Sequence, residues 1–85
     1  MLIFNMIKKV LISDDLIDFL QKRFLVAQYK KAKNFILNWY YKNVNLKIRE
    51  PKKTKIYYFR INKQFRALAK LEWDILKVFD IDNHQ

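Results

Sequence analysis

The chain of 85 residues carries 18 Lys and Arg against eight Asp and Glu, which gives a formal net charge of +10. This length allows one domain with a single core, and the apolar content of 52% argues against disorder. With neither cysteine nor glycine, the composition excludes disulfides, thiolate zinc sites, a catalytic thiol and a glycine-rich phosphate loop.

No part of the sequence indicates a membrane segment or a metal site. No apolar run approaches the roughly 18 residues of a spanning helix, and residues 1–6 lack the basic leader of a signal peptide. His84 is the only histidine, so a metal cage is not expected. We therefore predict a cytoplasmic protein that uses no membrane, no metal and no small-molecule cofactor.

The first half of the chain predicts one strand and two helices. Residues 7–12 are rich in β-branched side chains, and Ser13 can cap a helix whose dipole favours the two acidic residues that follow it. Apolar residues then recur at helical spacing in two stretches, Leu16, Ile17, Phe19, Leu20 and Phe24, followed by Leu25, Tyr29, Ala32, Ile36, Trp39 and Tyr40. We expect the helices to pack as a hairpin, with Phe35 and Trp39 in the core.

From residue 43 the apolar period changes to two, which indicates strands. They are predicted at residues 46–49, 55–61, 65–71 and 75–81, the last three as a meander. Pro51 breaks the pattern, and Asn62 is expected to adopt positive φ in its turn, since without glycine tight turns should depend on Asn and Asp. The predicted fold class is α+β, with an N-terminal strand and a two-helix hairpin packed on an antiparallel sheet of about four strands.

Alternation separates basic from apolar residues on the meander. One face carries Ile56, Tyr58, Arg60, Arg66, Leu68 and Lys70, and the other carries Tyr57, Phe59, Ile61, Phe65, Ala67, Ala69 and Leu71. The second set is more uniformly apolar, so it is expected to meet the helices. Arg60 and Arg66 would then lie on the open side of the sheet.

Basic residues concentrate from Lys47 to Arg66, where eight of them accompany one acidic residue. Such an excess, interleaved with aromatic side chains, predicts a polyanionic partner. The predicted RNA-binding residues are Arg49, Lys52, Lys53, Lys55, Tyr58 and Lys63. Two alternatives stay open: the lysines could form a solvated loop, and Trp73 could cover the core edge instead of stacking a base.

The predicted catalytic set consists of His84, Arg66, Arg60 and Lys47. Together they could cleave RNA by attack of the 2′-hydroxyl on the adjacent phosphorus. The arginines would neutralise the phosphate, the histidine would transfer a proton, and Lys47 would supply a base or a further cation. Equally, the arginines could be ordinary surface residues and His84 a terminal residue without a role.

The order of these elements, together with the segments YFRINKQFR (residues 58–66) and VFDIDNHQ (residues 78–85), resembles the RelE/ParE superfamily of bacterial type II toxins. The resemblance covers residues 7–85, and residues 1–5 could be an extension. Within the superfamily the pattern is most similar to YoeB-like and HigB-like messenger RNA endonucleases, which act without a metal. It implies a single RelE-like domain over residues 1–85.

By matched position, the resemblance makes Arg66 the phosphate-stabilising arginine and His84 the general acid. Arg60 matches a basic residue of the preceding strand. Where YoeB-like members place a glutamate as base, this chain offers Val44 or Lys47, so the base stays unassigned.

The resemblance also implies partners and a physiological role. The expected partners are a cognate antitoxin, messenger RNA and the ribosome, and the expected activity is an endoribonuclease that inhibits translation (an mRNA interferase). Two alternatives remain: a ParE-like toxin directed at DNA gyrase, and a non-catalytic basic binding module.

Overall fold

The computed structural model describes residues 7–83. Its main elements are β1 (Lys9–Ile12), α1 (Asp14–Lys22), α2 (Val26–Leu37), β2 (Lys47–Ile48), β3 (Ile56–Arg60), β4 (Phe65–Glu72) and β5 (Ile75–Asn83). Short 3-10 helices at Tyr41–Val44 and Lys52–Thr54 flank β2. The predicted α+β class is confirmed.

All five strands join one mixed sheet in the order β1-β5-β4-β3-β2. The predicted meander is confirmed, because β3 pairs antiparallel with β4 and β4 with β5. The expectation of about four strands is wrong, since β1 adds a fifth by pairing parallel to β5. A parallel pair needs a long crossover, and the two helices lie within the one that follows β1.

The start of α1 follows the sequence prediction. Ser13 is the N-cap, and its hydroxyl oxygen accepts a hydrogen bond from the Leu16 N–H at 3.4 Å. Asp14 and Asp15 occupy the first turn, where carboxylates interact favourably with the helix dipole. The cap therefore fixes the position at which the chain turns from β1 into the helix.

The end of α1 places Phe24 in the left-handed region, with φ of 58°. The Phe24 N–H donates to the Gln21 carbonyl at 3.1 Å, and the Leu25 N–H donates to the Leu20 carbonyl at 2.8 Å. This is a Schellman motif, which normally uses glycine at the position of Phe24. The inclusion of Phe24 in the apolar stripe is wrong, because this conformation leaves its side chain 89% exposed.

The end of α2 repeats the motif with Trp39, whose φ is 66°. The Trp39 N–H donates to the Ile36 carbonyl, and the Tyr40 N–H donates to the Phe35 carbonyl at 2.8 Å. Phe35 packs half-buried against the core, as expected, whereas Trp39 and Tyr40 are exposed. The prediction that Trp39 belongs to the core is wrong because the helix ends at Leu37 and later residues leave its periodicity.

The core lies between the helices and one face of the sheet. This helix face includes Tyr57, Phe59, Ala67 and Ala69, which are all buried. The ring of Tyr29 on α2 lies 6.4 Å from the ring of Phe59, measured between centroids. The predicted assignment of this alternating set to the helices is therefore confirmed.

A β-bulge in β5 changes which residues reach the other face. Leu68 pairs with Asp80 and Ala69 pairs with Val78, so Phe79 is an extra residue without a partner on β4. Without it, the alternation that buries Val78 would turn Asp80 towards the helices. The bulge instead leaves Asp80 exposed and buries Ile81.

Candidate nucleic-acid interface

The face opposite the helices carries the predicted site and is called the open face; it includes Tyr58, Arg60, Arg66, Leu68 and Lys70. The strand register fixes how these residues meet. Arg60 lies opposite Arg66, and Tyr58 lies opposite Leu68 on one side and Lys47 on the other. Directly opposite residues of antiparallel strands have Cα atoms about 4.5–5.5 Å apart. Register alone therefore brings the two arginines together.

A depression of about 140 Å³ lies at this end of the open face. It is lined by Asn45, Lys47, Tyr58, Arg60, Asn62, Lys63 and Arg66. Its four cations, Lys47, Arg60, Lys63 and Arg66, form the cationic cluster, and none of the lining residues is acidic. The depression suits a small phosphate group for two reasons. Arginine guanidinium groups match the geometry of the phosphate oxygens, and the lysines add positive charge.

The Arg66 guanidinium is held over the Tyr58 ring, with its central carbon 5.0 Å from the ring centroid. Arg66 is half-buried, whereas Arg60 and Lys47 are exposed. A cation–π contact orients the guanidinium without using its N–H donors. Arg66 therefore keeps those donors for an anion.

Within residues 7–83, two ion pairs are present, Lys22 with Asp18 and Lys77 with Glu72. Neither involves the cationic cluster. Because no carboxylate of that part of the chain forms an ion pair with the cluster, its cations stay available to a polyanion.

The β3–β4 turn holds this register through Asn62. The Asn62 Oδ1 accepts hydrogen bonds from the backbone N–H groups of Gln64 and Phe65, both at 2.8 Å. The expectation of positive φ at Asn62 is wrong, because its side chain, and not an unusual backbone angle, closes the turn. Of the five residues with positive φ in residues 7–83, Asn45 alone is an Asn or Asp. The expected dependence of tight turns on Asn and Asp therefore holds for the β3–β4 turn, which the Asn62 side chain closes, but not for most positive-φ positions.

A second depression, of about 450 Å³, adjoins the first and shares Tyr58 and Arg66 with it. Arg49, Leu68, Asp80 and Asp82 complete its lining. The two carboxylates were not among the predicted site residues. Asp82 lies opposite Arg66 in the register, and the Asp80 Oδ1 accepts a hydrogen bond from the Ile81 N–H.

The predicted residues fall into three groups. Lys47, Tyr58, Arg60, Lys63 and Arg66 share the first depression, and Arg49 lines the adjoining one. Lys52, Lys53 and Lys55 line a separate depression near the turn between β4 and β5. His84 lies outside the described residues; it follows Asn83, the last residue of β5.

Neither a metal site nor a membrane span is found in residues 7–83. No three His, Cys, Asp or Glu side chains of this part of the chain are grouped so that they could hold a metal ion. None of its helices is long and apolar enough to cross a membrane.

Comparisons with protein-family models, with curated proteins and with solved structures found no match for this chain. The chemistry of the open face and the sequence segments described above are therefore what indicates a function.

Proposed function

We propose that this protein is a toxin of a type II toxin-antitoxin system, similar to the RelE/ParE superfamily, that cleaves messenger RNA without a metal and thereby inhibits translation. The observation that carries the proposal is the cationic cluster around Tyr58 on the open face, with Arg60 directly opposite Arg66. It supplies the charge that a reacting phosphodiester requires.

In this proposal the scissile phosphate occupies the first depression. Arg66, oriented by the Tyr58 ring, donates hydrogen bonds to the non-bridging oxygens, and Arg60 approaches them from the neighbouring strand. Negative charge builds on these oxygens when the 2′-hydroxyl attacks phosphorus. Donors already in place stabilise that charge more in the transition state than in the ground state, which is what accelerates the reaction.

Two proton transfers complete the cleavage. The 2′-hydroxyl loses its proton to a base as its oxygen bonds to phosphorus, and an acid protonates the 5′-oxygen as that bond breaks. We assign the acid to His84 by its matched position. Lys47 is exposed and lines the phosphate depression, so it acts as a further cation, and Asp80 or Asp82 beside Arg66 offers a carboxylate base.

The positive charge of the protein also suggests its partners, an antitoxin and messenger RNA. An antitoxin with an acidic segment would be attracted to the +10 surface and would cover the cationic cluster. Ribosome-bound messenger RNA is the proposed substrate, and cleavage would take place in the cytoplasm.

The test is induced expression in bacterial cells without an antitoxin, with mapping of messenger RNA 5′ ends shortly after induction. The unaltered chain should produce new ends within translated codons. Arg66→Ala should lower cleavage roughly 10²- to 10³-fold, as loss of one transition-state donor does, and His84→Ala should also be impaired. Lys30→Ala is the matched control, because it removes an exposed cation of α2 that lies outside both depressions of the open face.

Other outcomes would contradict the mechanism. If Arg66→Ala and His84→Ala stopped growth as strongly as the unaltered chain, the mechanism would be wrong. Induction of the DNA-damage response with intact messages would indicate the gyrase-directed alternative. Normal growth with intact messages would indicate a binding module without catalytic activity.

A further inference from the structure

A third depression, of about 810 Å³, lies at the far end of the β3–β4 ladder from the cationic cluster. Its cations are Lys52, Lys53 and Lys55, from the segment between β2 and β3, and Lys70 from β4. Trp73, from the turn between β4 and β5, lines it as well. We call this feature the lysine–tryptophan depression.

Trp73 occupies a position that favours glycine. Because Glu72 pairs with Ile75, the turn has two residues, and Trp73 is the first of them with φ of 58°. A bulky residue at positive φ is strained relative to glycine. The same turn leaves its side chain 89% exposed, so a large aromatic surface faces solvent at the tip of a hairpin.

The charge of this depression is also poorly balanced. Glu72 is its one acidic lining residue, and its carboxylate accepts a hydrogen bond from Lys77, which is not a lining residue, at 2.8 Å. That hydrogen bond holds the pKa of Glu72 below its usual value. Within residues 7–83, none of the four lysines of the depression forms an ion pair.

Exposure and backbone strain alone do not make an aromatic residue part of a binding site, and Phe24 is the example. Its φ and its exposure equal those of Trp73, but it lies in the cap of α1 and is not one of the residues that line the lysine–tryptophan depression. Trp73 differs because four unpaired lysines share its depression. An aromatic platform beside such cations is the combination that binds bases and phosphates of a single strand.

We propose that the lysine–tryptophan depression is a second contact for single-stranded nucleic acid, in which a base stacks on Trp73 and the four lysines contact phosphates. It adds affinity and takes no part in cleavage; it rests on the proposed function only in naming RNA as the natural ligand. The ladder between the pairs Arg60–Arg66 and Ile56–Lys70 spans four residues, or roughly 13 Å. This separation is within the reach of one strand of a few nucleotides.

The binding experiment uses Trp39→Phe protein, so that Trp73 is the only tryptophan. It is titrated with 2′-O-methyl oligouridylate, which cannot be cleaved because its nucleophile is blocked, and with oligothymidylate. Both should quench Trp73 emission, and a duplex of the same length should not. No change in emission while the labelled oligouridylate binds by anisotropy would overturn the proposal.

Variants in the otherwise unaltered chain locate the contact by anisotropy. Trp73→Gly suits the positive φ of the turn and so avoids a folding artefact; it should weaken binding roughly 5- to 150-fold, the usual range for one stacked base. Phe24→Gly is the matched control, with the same φ and exposure, and should leave affinity unchanged. Equal losses in the two variants would contradict stacking on Trp73.

The lysines are tested through the salt dependence of binding. Removing Lys52, Lys53 and Lys55 together by alanine substitution should reduce the slope of log K against log salt by about 2, since each single-strand phosphate contact contributes about 0.7. The control removes the same charge elsewhere, at the exposed residues Lys8, Lys30 and Lys42. Equal slopes for the two triple variants would show that only net charge matters.

The binding experiments and the cleavage test can succeed or fail independently. Quenching of Trp73 in a protein that cuts no message would support the second contact and reject the proposed catalysis. Cleavage that depends on Arg66, with no effect of Trp73→Gly on binding, would support the proposed catalysis and reject the second contact. Stronger binding of a polyglutamate peptide than of the oligonucleotides would assign the depression to an acidic protein segment instead.

Discussion

The two faces of the β3–β4 ladder are built from alternate residues of the same strands but have opposite properties. Phe59, on the helix face, is 0% exposed, while its neighbour Arg60 is exposed on the open face. The pair Ala69 and Lys70 shows the same contrast on β4. A step of one residue along a strand therefore separates the side chains that stabilise the fold from those available to a ligand.

The difference follows from what lies against each face. Rings from both helices pack on the helix face, where Phe19 contacts Phe65 edge-on and Tyr29 lies beside Phe59. Charge there would be desolvated, so the face is apolar. The open face has no such requirement and can gather cations, whose mutual repulsion water screens. We expect substitutions on the helix face to change stability, and those on the open face to change binding and cleavage.

The largest effect on stability is expected for Phe59→Ala, which removes a fully buried ring from the centre of the core. The free energy of unfolding should fall by about 3–5 kcal/mol, the usual cost of deleting a buried Phe side chain. Arg60→Ala, one residue further along, should change it by less than about 0.5 kcal/mol. Urea denaturation followed by circular dichroism measures both variants.

Phe59→Leu keeps the comparison measurable if the alanine variant does not fold. Its free energy of unfolding should fall by less than about 1.5 kcal/mol, because most of the buried volume is retained. A loss for Arg60→Ala as large as that for Phe59→Leu would show that the open face also supports the fold. The separation between the two faces would then be wrong.

A smaller effect of opposite sign is expected for Tyr29→Phe. The Tyr29 hydroxyl is buried without a hydrogen-bond partner among residues 7–83, and burial raises the pKa of Tyr29 to about 12. Removing an unsatisfied buried hydroxyl should raise the free energy of unfolding by about 1 kcal/mol at neutral pH. Tyr58→Phe is the open-face control and should change little, since that ring is half-buried.

The raised pKa of Tyr29 also predicts that the stability of the fold depends on pH. Above pH 10 the unfolded chain releases the Tyr29 proton, while the folded chain keeps it until about pH 12. Stability should therefore fall between these values, by up to about 1.4 kcal/mol per pH unit. Tyr29→Phe should flatten the curve relative to the unaltered chain. Parallel curves for the two proteins would contradict the assignment of this slope to Tyr29.

The contrast between the faces could be predicted from the sequence because alternation needs only the order of residues. Phe59 and Ala67 follow the apolar phase, and Arg60 and Arg66 follow the basic one. The ends of the helices could not be predicted in the same way. Sequence signals for a helix end depend on glycine, and here Phe24 and Trp39 take its place in the Schellman motifs.

Two carboxylates of the site could not be predicted from the sequence for a similar reason. Asp80 and Asp82 line the depression beside Arg66 because the bulge at Phe79 shifts the phase of β5, and no turn residue or proline marks that bulge. The separation of Lys52, Lys53 and Lys55 from the cationic cluster is also invisible to a count of basic residues. It depends on which end of the β3–β4 ladder each segment reaches.

The smallest effect on stability is expected for the ion pair between Glu72 and Lys77, which is exposed. Because the hydrogen bond from Lys77 lowers the pKa of Glu72, any stabilisation is present above the unfolded value of 4.5 and is lost as the pH falls through the folded value. Solvent and salt screen such a pair, so Glu72→Gln should leave the urea midpoint at neutral pH unchanged within error. Its binding effect should be easier to detect, since it removes the one acidic residue of the lysine–tryptophan depression and should tighten oligonucleotide binding at low salt. A variant that unfolded more easily without binding more tightly would assign this part of the open face to the fold.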